Sequence, residues 1–135
     1  MPEDSFQLEC DRISHIVDEA LFERLQWERN EGPKLAHLVV LARGAFEGRP
    51  EFELAEEGAT RDLKRFVLKI HSKRVVAISM WIEDGRAMLQ SERIERSPYG
   101  LADAAPVTAE FDAIDESWMA AALHQQFSRI QAPAA

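Results

Sequence analysis

The stretch VVAISMWIEDGRAMLQSERI, Val75 to Ile94, decides the fold of this chain. Its first arm, Val75 to Ile82, is rich in β-branched and aromatic residues, and its second, Ala87 to Ile94, returns after Asp84-Gly85, a favoured two-residue hairpin turn. Val76, Ile78, Met80 and Ile82 share one face of the first arm, while Val75, Ala77 and Trp81 share the other. A strand apolar on both faces belongs inside a sheet. The returning arm carries Gln90, Glu92, Arg93 and Glu95, which places it nearer an edge.

Upstream, Thr60 suits an N-cap, and Leu63, Phe66, Val67 and Ile70 fall on one helical face, so the spacing predicts a helix over 60–72. Phe66, Leu68 and Ile70 also alternate as a strand does; the helix is preferred because it accounts for more positions. Before it, Phe52 and Leu54 alternate with glutamates as in an exposed edge strand. Segment 34–47 reads both ways. Leu35, Leu38, Val39, Ala42 and Ala45 have helical spacing, whereas Leu38 to Leu41 fit a buried strand. The helix is the preferred reading.

Nearer the N-terminus, Ile13, Ile16, Val17, Ala20, Leu21 and Leu25 form one apolar stripe, which predicts a core-facing helix over 11–30. Phe6 and Cys10 extend that stripe, although Phe6, Leu8 and Cys10 also alternate as a short strand. Gly32 and Pro33 are expected to end the helix. Downstream of the hairpin, 97–106 reads as a loop and Val107, Ala109 and Phe111 as a further strand. A helix over 116–130 closes the chain, capped by Asp112 or Asp115. The sum is an α+β domain: an antiparallel sheet built around a central β-hairpin (about 75–95) with flanking helices (about 11–30, 60–72 and 116–130). One domain is expected over 1–135, with flexible tails at 1–5 and 131–135.

The order of elements is similar in layout to that of type III secretion chaperones and their non-secretory relatives. No motif is shared, and segment 97–113 departs from that layout.

Composition narrows the function. Hydrophobic residues make up 46% of 135, enough for a real core. The acidic start (Glu3, Asp4) is unlike a signal peptide, and no apolar run approaches the ~18 residues of a membrane span. With a single cysteine, Cys10, these features point to a reducing, cytoplasmic setting. Twelve arginines against four lysines suggest a GC-rich bacterial genome. The net charge of −8 disfavours nucleic acid as a partner.

No catalytic motif is present. The histidines His15, His37, His71 and His124 make no zinc pattern, no serine sits in a nucleophile elbow, and no glycine-rich phosphate loop occurs. Neither a metal nor a cofactor is expected. Asp11, His15 and Glu19 share a helix face, a spacing that ordinary surface ion pairs explain. Cys10, on the apolar stripe, reads as a buried small hydrophobe. Asp112, Asp115 and Glu116 read as a helix cap.

Two surfaces remain. Arg61, Lys64, Arg65, Lys69, Lys73 and Arg74 form a basic stretch in an acidic chain, which as a helix face is a candidate docking surface; Trp27, late on the first helix, is a candidate partner contact. Met80, Trp81 and Met88 are candidates to line a small apolar pocket. The leading expectation is a non-enzymatic interaction domain, a small acidic adaptor, regulator or chaperone-like binder whose partner is another protein or a second copy. The alternative is a small-molecule-binding or enzymatic domain using the Trp81/Met88 pocket.

Overall fold

A computed structural model describes residues 2–60, 62–103 and 105–133. The chain divides into two compact units, 1–33 and 34–135. The elements are α1 (Pro2–Val17), α2 (Glu19–Ala45), β1 (Phe52–Glu56), β2 (Leu63–Ile70), β3 (Lys73–Glu83), β4 (Arg86–Glu92), β5 (Gly100–Leu101), β6 (Val107–Glu110), α3 (Glu116–Phe127) and β7 (Ile130–Gln131). A 3-10 turn, Phe111–Ala113, precedes α3. The class is α+β, with a five-stranded antiparallel sheet in the order β1-β2-β3-β4-β6.

The hairpin forms where its turn chemistry directs it. Asp84 and Gly85 both have positive φ, 50° and 74°, the pair a type I′ turn requires. β3 lies at the centre of the sheet, and Val75 to Met80 are all buried. By register, Phe66, Ile78 and Ser91 share one face, whereas Val67, Ala77 and Glu92 share the other.

The helix predicted over 60–72 is instead strand β2. Within LKRFVLKI the alternation and the helical spacing coincide, so the pattern alone could not separate them. Pairing did. Eight register partners along β3 bury Phe66, Val67 and Leu68 on both faces at once, which a one-sided helix face cannot do. Thr60 keeps its expected bond, accepting from the Leu63 amide at 3.2 Å, but Thr60 N also donates to Leu63 O at 2.8 Å. The supposed cap therefore closes a turn. His71 and Ser72, also at positive φ, link β2 to β3.

The first helix also differs from its expected bounds. α1 begins at Pro2, inside the segment expected to be a tail, and α2 runs through Gly32 and Pro33 to Ala45. Gly32 does not adopt the left-handed conformation of a C-cap. Pro33 removes one helical hydrogen bond, and the burial of Leu35, Leu38, Leu41 and Ala42 just beyond it favours continuation. Segment 34–47 is thus helical through Ala45. Backbone bonding continues past Asp18, from Asp18 N to Ser14 O at 3.1 Å and from Phe22 N to Asp18 O at 2.9 Å.

In the unit 34–135, the end of α2 and α3 cover the Phe66 face of the sheet. The Arg43 guanidinium lies 5.0 Å from the Phe66 ring centroid, and the fully buried Gln126 reaches Ser91 on β4. The Gln126 side-chain oxygen accepts from Ser91 N at 2.9 Å, from Ser91 Oγ at 2.7 Å and from Arg129 Nη1. Its amide nitrogen, Nε2, is buried with no partner among the described residues. Asp115 caps α3 by accepting from Trp118 N at 2.8 Å, as its position predicts. Segment 97–106, expected to be a loop, contributes β5, which pairs with β7 beyond the end of α3. Ile130 and Gln131, expected in the last helix and the tail, form β7.

Candidate functional site

The apolar stripe of the first helix is where structure and expectation part furthest. No described side chain from Asp4 to Pro33 is buried. Phe6, Leu8, Ile13, Ile16, Val17, Leu21 and Leu25 are exposed large hydrophobics, and Val17 reaches 78%. Cys10, expected to be buried, is exposed beside them. At helical spacing Phe6, Cys10, Ile13, Val17 and Leu21 fall along one side, with Ile16 flanking it; Leu8 falls outside. Residues 1–33 carry nine acids and three bases, a net −6, so the stripe runs along an acidic helix.

The basic stretch does not make one face. Arg61 lies outside the described residues. Lys64 and Arg65 are neighbours on β2, so their side chains leave opposite faces of the sheet. Acids take up most of the charge. Lys64 Nζ is 3.6 Å from Glu56, and Arg65 Nε is 3.5 Å from Glu92. Arg74 holds Glu57 by two bonds of 2.8 and 3.1 Å. That pairing, chiefly the hydrogen bond from Arg74, holds the Glu57 carboxyl below its usual range. Lys69 sits across from Glu53 in the β1–β2 register, and Lys73 is exposed at the start of β3. Trp27 is half-buried on α2 beside Gly32.

The strand pleat splits the candidate pocket near Trp81. Met80 is fully buried on the Phe66 face, whereas Trp81 and Met88 are cross-strand partners on the opposite face, both half-buried. Trp81 Nε1 donates to Glu83 at 3.5 Å. These three side chains do not converge on one cavity.

Two grooves of the unit 34–135 gather around phenylalanines that carry no functional signal in the sequence. Phe46, Phe52 and Phe127 come from the turn after α2, from β1 and from the end of α3. Their rings stack pairwise at 5.3, 5.9 and 6.5 Å between centroids. One groove, of about 450 Å³, includes Arg43, Glu47 and Glu53 in its lining. A second, of about 350 Å³, is lined by Phe46, Phe52 and Phe127 with Arg49, Ala120 and His124. No sequence signal ties the three phenylalanines together, because Phe127 lies far along the chain from Phe46 and Phe52.

On the helix surface, donor atoms of His15, Glu19 and Glu23 lie within 4.8 Å of one another, all three exposed. Spacing of i, i+4 and i+8 produces such groupings on ordinary acidic helices. Among the described residues no helix is long and apolar enough to cross a membrane. No family model, curated protein or solved structure matches the chain.

Proposed function

We propose that this chain is a non-enzymatic protein-interaction domain, an acidic adaptor that captures its partner on the apolar stripe of residues 6–21. The observation that carries this reading is the exposure of that stripe. Single exposed hydrophobics are ordinary, but a contiguous helical row of them is the usual mark of an interaction surface. An isolated helix gains little from propensity alone, and covering an amphipathic face is what stabilises it. The acids flanking the stripe favour a cationic, amphipathic segment as the partner, since complementary charge speeds encounter and selects against acidic competitors.

The supporting experiment is capture by tagged protein from bacterial lysate, run beside the double variant Ile13→Asp/Val17→Asp. Both positions are at least half exposed, so the variant keeps its fold, which circular dichroism verifies. Loss of a specific protein from the variant's eluate is expected. Undiminished capture by the double variant removes this reading. Light scattering on the purified chain separates the case in which the stripe pairs with a second copy. Charge reversal at Arg65 and Lys69 is expected to leave capture intact, because those side chains already face acids.

A further inference from the structure

We propose that the groove between α3, the turn after α2 and the start of β1 binds a small apolar carboxylate, an aryl or branched-alkyl acid about the size of one ring. Its walls are phenyl rings held nearly parallel. Phe46 and Phe52 are inclined by 15°, and Phe46 and Phe127 by 17°. All three rings are half-buried, unlike the core ring of Phe66 at 1% exposure, so they present surface to an incoming group. Rings so arranged accept a further flat or branched apolar group by offset stacking. The volume of about 350 Å³ falls at the small end of ligand sites.

Charge selects the polar end. In a chain of 24 acids, none of the residues lining this groove is an aspartate or glutamate, and its polar members are Arg49 and His124. The neighbouring groove, lined by Glu47 and Glu53, has the opposite character on that side. The Arg49 side chain is 71% exposed, and among the described residues its guanidinium is engaged only through Nη1, 3.4 Å from Glu51. The rest of its planar fork remains to grip a carboxylate. The apolar body of the acid therefore packs on the phenyl rings while its carboxylate meets Arg49, with His124 of α3 also lining the groove. This site lies in a different unit from the stripe, and the two readings stand separately.

The test titrates phenylacetate, and its neutral counterpart phenylacetamide, into the ¹⁵N-labelled full chain. Saturable shifts are expected at amides of 45–52 and 120–127, with the acid bound about fivefold more tightly than the amide, as one charge-assisted contact allows. Ala120→Trp, at an exposed wall position, fills the groove and is expected to abolish the shifts. Arg49→Gln is expected to equalise acid and amide without removing either. The proposal is overturned by an absence of saturable shifts up to about 10 mM, where even millimolar affinity would register. It is equally overturned by equal affinities for acid and amide in the parent, or by shifts that persist unchanged in both variants.

Discussion

Replacing Gln126 by leucine tests how much of the α3 docking rests on one buried oxygen. Gln126 is fully buried, and its side-chain oxygen serves Ser91 N, Ser91 Oγ and Arg129 Nη1 together. Leucine removes that acceptor. The Ser91 amide, in a residue only 2% exposed, loses its partner at a cost of about 1–3 kcal/mol. Arg129 loses one charge-assisted bond of about 1.5–3 kcal/mol but keeps Ala102 O at 2.6 Å and has Ser91 Oγ at 3.3 Å, so the lower end applies. Against this, leucine also deletes the unpartnered Nε2, relieving about 1–3 kcal/mol. With the Ser91 amide loss and the Nε2 relief of similar size, the expected net loss is about 1.5 kcal/mol, a sizeable share of the roughly 5–15 kcal/mol that domains possess. Gln126→Glu separates the two effects. It keeps an acceptor for Ser91 N and places a carboxylate beside Arg129, while its second oxygen takes the unpartnered position of Nε2, so it is expected to be more stable than the leucine variant and less stable than the parent at neutral pH. Equilibrium urea unfolding followed by tryptophan fluorescence measures all three proteins, with equal m-values as the check on a shared two-state transition. A leucine variant as stable as the parent would refute the account, because the oxygen would then carry no net weight.

Two further outcomes follow from the same structure. Glu57→Gln is expected to lower stability at neutral pH. Because Arg74 holds the folded carboxyl below 4.5, the contribution is complete above that ordinary value and fades as pH falls through the lower folded one. Thermal unfolding of parent and variant across the acid range should therefore converge. Gly85→Ala, at φ +74°, is expected to cost about 1 kcal/mol by urea unfolding, since the space beside Gly85 is open and only the backbone conformation opposes a side chain.

Legibility in the sequence varied with the kind of signal. The β3–β4 hairpin was readable because Asp84-Gly85 names its own turn and the flanking residues are strand formers on both sides. The α3 cap was readable for a similar reason, as Asp115 satisfies the Trp118 amide three residues away. β2 was not, because LKRFVLKI supports either periodicity and the decision is made by its partners across the sheet, among them Val76 to Trp81. The end of the first helix was misplaced because Gly32-Pro33 resembles a stop, while the apolar run that draws α2 onward lies beyond it. Periodicity placed Ile13, Val17 and Leu21 on one face correctly. It says nothing about what covers a face, so an exposed stripe and a buried one look alike in sequence. The phenylalanine groove is a property of tertiary folding and left no local trace.

The outer strand β1 has a consequence for how crowded solutions of this chain behave. It is five residues long, and its Leu54 carbonyl already accepts from the Arg43 side chain at 3.3 Å. A foreign strand seeking to extend the ladder there must displace that guanidinium and meet Glu53 and Glu56 along the rim. On the far side, β6 offers only four residues, bound to β4 through Arg86 and Glu110 at 3.3 Å. Neither rim presents the long, flat, apolar template on which fibrils grow. Molecules of this protein can therefore meet often without their five-stranded sheets fusing edge to edge.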